Sequence, residues 1–146
     1  MTLKRTDSAG YMTNLAGRLL VRALERRLAP IGLAPAHMPV LLGLEEGPQP
    51  QKMVAARANV EQPTMTATLN RMERDGLIER LPNPDDGRSS LVALTALARE
   101  KLPLVERAVE EVNALALGGL EAGEREQYFA LLTRVIAALE ADGKPD

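Results

Sequence analysis

The chain has 146 residues, 45% of them hydrophobic and 26% charged, the composition of one soluble globular domain with room for a real core. It holds no cysteine, no tryptophan and a single histidine, which excludes a disulfide framework, a thiolate nucleophile, a sulfur-ligated zinc and a histidine-rich metal site. The formal charge of -2 speaks against a nucleic-acid partner only as an average: Lys4, Arg5, Arg18, Arg22, Arg26 and Arg27 crowd the start of the chain, whereas Glu121, Glu124, Glu126, Glu140, Asp142 and Asp146 outnumber the bases near its end.

No apolar leader follows the basic start, and no apolar run is long enough for a bilayer, so the expected location is the cytoplasm. Met12, Ala16, Leu19, Leu20, Ala23 and Leu24 recur at helical spacing from about Ser8, and the pattern stops at Pro30 and Gly32. A second helix is predicted from Pro35 through Val40, Leu41 and Leu44 to Gly47-Pro48. Pro39 lies at the edge of its first turn, so this helix either starts late or is tightened locally.

A short helix over Lys52 to Ala58 and a longer one from Gln62 to Gly76 flank Asn59-Val60-Glu61, and asparagine accepts the left-handed conformation that a tight turn requires. Val54, Ala55, Ala58, Val60, Met65, Leu69 and Met72 can share a small core between them. Two helices joined by a three- or four-residue turn, the second free to enter a groove, make a helix-turn-helix. Leu77 to Leu81 and Ser90 to Leu94 read as strands around Asn83-Pro84-Asp85-Asp86-Gly87, a β-hairpin directly behind the second helix. Thr95 is a candidate cap for a long helix to Leu117, with Leu97, Leu104, Ala108, Val112 and Leu115 along it and a kink expected at Pro103. Gly118-Gly119 ends it, and Tyr128, Leu131, Leu132, Val135, Ile136 and Leu139 mark a final amphipathic helix.

With Met65 at the centre of the buried face, 100° per residue puts Pro63, Ala67, Asn70 and Arg74 outward, flanked by Thr64, Thr66 and Arg71. Small side chains near the helix start let the backbone approach base edges, and Ala or Thr can meet a thymine methyl. Gln62 and Asn70 carry amides suited to adenine, and Arg71 and Arg74 can reach guanine or phosphate. Arg88 stands at the base of the hairpin turn, where arginine can enter a narrow minor groove, and Asp86 can hold it extended.

His37 precedes Met38 near the expected position of Arg18 and Arg22. A neutral histidine beside cations and apolar residues can recognise a small aromatic acid; the same histidine can instead be packed at a helix junction. No nucleophile and base pair, no phosphate-cradling glycine loop and no histidine pair occurs, so the chain is read as a non-enzyme with no cofactor and no metal. Glu110-Glu111 and Asp85-Asp86 are assigned to solvent.

From about Leu33 to Leu102 the chain resembles the MarR family of winged helix-turn-helix transcription regulators, in particular its SlyA-like branch. The resemblance rests on Leu33-Ala34-Pro35, on Val60-Glu61-Gln62-Pro63-Thr64-Met65 with Leu69-Asn70-Arg71-Met72-Glu73-Arg74-Asp75-Gly76-Leu77-Ile78, and on Asn83-Pro84-Asp85-Asp86-Gly87-Arg88 followed by Leu91-Val92-Ala93-Leu94-Thr95. It implies a mainly α fold with a small β-hairpin wing, and a homodimer built through the terminal helices. It also implies that Gln62, Pro63, Thr64, Thr66, Asn70 and Arg71 face the major groove, that Arg88 enters the minor groove supported by Asp86, and that an aromatic or phenolic ligand binds between the two regions and releases DNA. Met38 stands where the family often has an aromatic residue, Pro39 is unusual, and Ala98 replaces a common glycine; the absence of cysteine excludes the peroxide-sensing mode of one branch.

The organisation expected is a dimerisation helix over 1–32, a winged helix-turn-helix lobe over 33–95 and dimerisation helices over 96–146. The expected function is a repressor that binds double-stranded DNA at a pseudo-palindromic operator, released by a small aromatic ligand at Arg18, Arg22, His37 and Met38. The alternative is a winged-helix adaptor that binds protein and not DNA. It is favoured by the near balance, between residues 57 and 90, of Arg57, Arg71, Arg74, Arg80 and Arg88 against six acids.

Overall fold

The computed structural model describes residues 3–144. Helix α1, Ala9–Leu28, begins at Ser8, whose Oγ accepts the Tyr11 N–H at 3.1 Å and so satisfies one of the orphan donors of the first turn. It gives way to a 3-10 turn at Ala29–Ile31 and to Gly32 at φ 76°, the left-handed position that glycine takes without strain. Both outcomes left open at Pro39 occur together: Pro35–His37 is a tight 3-10 turn, and α2, Met38–Leu44, starts only after it.

A two-residue strand, β1 (Gln49–Pro50), follows and was not expected; it runs straight into α3, Gln51–Ala58. Asn59 has φ 53° and ψ 43°, and the Val60 N–H closes the end of α3 on the Ala55 carbonyl at 3.0 Å. Helix α4, Gln62–Arg74, carries Pro63 in its first turn, where the missing N–H costs nothing, and Gly76 at φ 76° turns the chain out of it.

Strands β2 (Ile78–Pro82) and β3 (Ser90–Leu94) pair antiparallel, with Ile78 opposite Leu94 and Arg80 opposite Val92; β2 lies one residue later than its pattern suggested. On its other edge β3 pairs with β1, Gln49 opposite Val92, so the sheet order is β1-β3-β2. Thr95 joins wing to helix: its Oγ1 accepts the Ala98 N–H at 3.2 Å and donates to the Gly76 carbonyl at 2.6 Å. Helix α5, Ala96–Leu117, continues through Pro103, and α6 spans Ala122–Asp142. An added Cβ at Gly118 would lie 2.7 Å from the Ala114 carbonyl oxygen, so glycine is required for the chain to leave α5 there.

The chain divides into two compact units, one through Val109 and one from Glu110 onward. Leu28 of α1 and Ala98, Val105 and Ala108 of α5 are buried in the same core as Val40, Leu44, Val54, Met65, Leu69, Met72 and Val92. The small helix-turn-helix core is therefore one side of a larger one.

The buried stripe of α5 also differs from expectation. Ala98, Val105, Ala108 and Val112 are inside, whereas Leu97, Leu104 and Leu115 are exposed. An added 100° per residue separates the two sets into adjacent stripes of one wide apolar arc, only one of which the single chain covers. In the second unit, α6 has its expected apolar residues, yet no side chain of α6 is buried. No single helix among the described residues is long and apolar enough to cross a membrane.

Candidate nucleic-acid interface

The inner face of α4 is anchored by Met65, Leu69 and Met72, at most 2% exposed, and this fixes which side of the helix looks outward. Gln62, Pro63, Thr64, Thr66, Ala67, Asn70, Arg71 and Arg74 are all exposed, so the reading face derived from helical geometry is brought together as one surface. Arg74 Nε lies 3.7 Å from Asp75 Oδ1 in a solvated pair, worth about 0–1 kcal/mol, which leaves the guanidinium available to a phosphate.

Two residues that sequence reasoning passed over organise this face. Arg80 on β2 reaches across the register of the sheet and donates from Nη1 to Gln51 Oε1 at 3.2 Å and from Nη2 to Asn70 Oδ1 at 3.0 Å. Its Nε lies 3.5 Å from Glu73 Oε1. Gln51, the first residue of α3, passes the polarity on: its Nε2 donates to Thr66 Oγ1 at 2.6 Å, and Thr66 Oγ1 donates to the Gln62 carbonyl at 2.9 Å. One amide atom that an adenine pairing by Asn70 would use is thus already accepting a bond within the protein. The available signal was a charged residue two positions after Ile78, on the inward side of an alternating strand.

The wing is held by its own turn chemistry. Asn83 Oδ1 accepts the Asp85 N–H at 3.0 Å, Asn83 Nδ2 donates to Ser89 Oγ at 3.1 Å, and Asp86 Oδ1 accepts the backbone N–H of Arg88 at 2.9 Å. Asp86, expected to hold Arg88 extended, accepts from its main chain, because the two-residue spacing closes an Asx-type turn before the side chains meet. The Arg88 side chain is left exposed. Gln51, Lys52, Gln62, Asn83, Asp86 and Arg88 line one open groove between the start of α3, the start of α4 and the wing. Lys52 adds a cation there that sequence reasoning did not single out.

The effector candidates are distributed differently. Arg18 and Arg22 line a shallow groove along α1 with Thr13, Asn14, Gly17 and Val21, whereas Met38 lines another with Pro39, Leu42, Gly43, Arg57 and Ala58. His37 uses its Nδ1 to accept the Ala34 N–H at 3.1 Å, capping the 3-10 turn before α2. An accepting Nδ1 must be unprotonated, and burial holds the pKa below its ordinary 6.5; Asp75 opposes that shift and Arg71 adds to it. The charges acting on His37 thus come from the end of α4, not from Arg18 and Arg22, and the junction reading of this histidine describes its geometry.

Because the folded chain disfavours the imidazolium, the unfolded chain binds the proton more readily. The contribution of His37 to stability is complete above pH 6.5 and is lost as the pH falls through its lowered folded value. Thermal unfolding midpoints measured from about pH 8 down to about pH 5 are expected to fall, and His37→Gln should flatten that acid limb. An acid limb of equal steepness in the variant would remove His37 as its source.

Among the described residues, no three His, Asp or Glu side chains converge to hold a metal ion. The surface is one of donors, amides and cations on a helix beside a wing, which suits a polyanion with readable edges.

The model of the MarR family matches residues 31–89, which contain the helix-turn-helix and the first strand and turn of the wing. A probable transcriptional regulator from Pseudomonas aeruginosa is 30% identical, with a TM-score of 0.84 over 90% of this chain and 99% of that one. A mutant MarR from E. coli complexed with operator DNA is 25% identical, with a TM-score of 0.81 over 86% of this chain and 91% of that one. The transcriptional repressor CouR, bound to a 23-mer DNA duplex, is 26% identical, with a TM-score of 0.78 over 94% of this chain and 99% of that one. With the helix-turn-helix, the paired wing and these likenesses in agreement, the chain belongs to the MarR family of winged helix-turn-helix transcription regulators.

Proposed function

We propose that this protein is a homodimeric, sequence-specific DNA-binding repressor of the cytoplasm, with α4 in the major groove and the wing in the minor groove. The observation that carries the reading is the groove in which Gln62 of α4 and Arg88 of the wing share one wall system, on a chain similar to MarR and CouR structures solved with DNA. Gln62, Pro63, Thr64, Thr66, Asn70 and Arg71 meet base edges, Arg74 meets phosphate, and Asp86 shapes the turn that presents Arg88.

Residues 33–95 act as the DNA-binding lobe, and α1 and the two last helices as the dimerisation region. Support for the second part is the exposed apolar surface of those helices. Leu19 and Val21 on α1, Leu104 and Leu115 on α5 and Leu131 and Leu139 on α6 are all more than 40% exposed, a loss that a second copy recovers. Two-fold symmetry then sets half-sites about 10 bp apart on a pseudo-palindromic operator. Arg18 and Arg22, one turn apart on α1, are suited to the carboxylate of a small aromatic acid whose binding releases DNA, and the resemblance of His37 to the SlyA-like pattern supports that branch.

Selection of genomic fragments by the purified protein, with and without a panel of aromatic acids, tests the whole reading. Sequence-specific recovery that one acid abolishes is the expected result; recovery of no sequence over background would leave the adaptor alternative standing. In the same assay Arg88→Ala should weaken binding to the recovered site by about 1–3 kcal/mol. Unchanged affinity at several salt concentrations would take Arg88 out of the groove.

A further inference from the structure

The side chain of Arg80 has donors and no acceptor, and this one-sidedness determines the polarity of every group it touches. The atom of Asn70 facing Nη2 has to be the amide oxygen, and the atom of Gln51 facing Nη1 likewise. Gln51 then has only its amine left for Thr66, and the Thr66 hydroxyl, having accepted, sends its proton to the Gln62 carbonyl. A chain of bonds that begins on the wing strand thereby sets the donor and acceptor pattern over two turns of α4. Asn70, an exposed residue, is left with its Nδ2 donor to offer, and Thr66 with its methyl and one lone pair.

We infer that Arg80 is a positioning residue for base selection: it locks the Asn70 amide so that α4 offers a donor to the base edge. This rests on the DNA-reading function proposed above and deepens it. A base that presents its own amine, adenine N6 or cytosine N4, would have to bring that amine to the Asn70 oxygen beside a guanidinium, partial positive charge against full positive charge. Acceptor edges meet the free Nδ2 without that conflict, so the base at Asn70 is guanine, through N7 and O6, or thymine, through O4. Arg80 is a better lock than a freely rotating surface residue, since its side chain is 27% exposed and its fork is held at three acceptors on α3 and α4.

The experiment is selection from a randomised duplex library by the full-length protein and four variants, read by sequencing, with a thermal melt of each. The unmodified protein should enrich a motif, and Asn70→Ala should erase preference at one base pair per half-site, which identifies the pair that Asn70 reads. At that pair Arg80→Met should relax the preference by about tenfold while the other positions keep theirs. Arg80→Lys, which keeps a cationic donor beside the amide oxygen, should retain the preference. Asn70→Asp leaves the Arg80 contact in place and turns the donor into an acceptor, so its preference should move to cytosine on the strand that Asn70 reads, inverting a G·C pair or replacing a T·A pair by C·G; this holds whether or not Arg80→Met folds. An undiminished preference at that pair in Arg80→Met, or a pair left unchanged in Asn70→Asp, overturns the assignment. Failure of the unmodified protein to enrich any motif is a different result, and overturns the DNA-reading function itself.

Discussion

Replacing Leu131 and Val135 together by aspartate is expected to give a monomer that no longer holds its operator. Both sit on the apolar face of α6, 55% and 43% exposed, on a helix none of whose residues is buried in the single chain. Leu131, Val135 and Leu139 follow one another at helical spacing, so a second copy meets a continuous ridge and not isolated side chains. Burying a leucine or valine contributes about 1.5–3 kcal/mol, and two-fold symmetry counts each residue twice. Aspartate removes that gain and adds carboxylates to be desolvated without a partner. Loss of the dimer turns two linked half-site contacts into one, a fall of about 10²–10⁴-fold in operator affinity. Mass by light scattering and a duplex titration read the two consequences separately. A variant that stays dimeric at micromolar concentration would move the dimer interface away from α6.

The Leu69→Ala variant is expected to lose about 2–5 kcal/mol of stability, a large share of the 5–15 kcal/mol typical of a folded domain. Leu69 is fully buried in the cluster that contains Val54, Met65, Met72 and Val92, where the helices of the helix-turn-helix meet the sheet. Truncation removes the transfer energy of the side chain and leaves a void that neighbours anchored on several elements cannot close. Since the same residue sets which side of α4 faces out, reading of DNA should fail with folding, at a lower temperature than in the unmodified protein. Denaturant unfolding measures the loss directly, and Thr64→Ala on the opposite face serves as the comparison, with an expected change within about 0.5 kcal/mol. A loss below about 1 kcal/mol for Leu69→Ala would mean that the lobe repacks around the gap.

What could be read without a structure was what short-range chemistry dictates. Asn59 was legible as a left-handed turn, Pro63 as a first-turn residue, Thr95 as a cap, and Asn83 with Asp86 as turn formers, because each satisfies backbone groups within a few residues of itself. Helical geometry alone separated Met65, Leu69 and Met72 from the outward side chains of α4. The strand β1 escaped notice since two residues, one of them proline, carry no periodicity; it exists through pairing with Val92 and Leu91 far along the chain.

Arg80 escaped for a related reason, its partners lying 10 and 29 positions away on α4 and α3. The stripe of α5 that is buried, and the turn that His37 caps, were likewise settled by which surfaces the rest of the chain offers. Sequence by itself determined the helices and the hairpin, their order and the outward face of α4, since local hydrogen bonds and helical spacing are properties of adjacent residues. Only the tertiary structure decided the orientation of the amides on that face and the groove shared with the wing, because a side chain takes its polarity from whatever the fold brings against it.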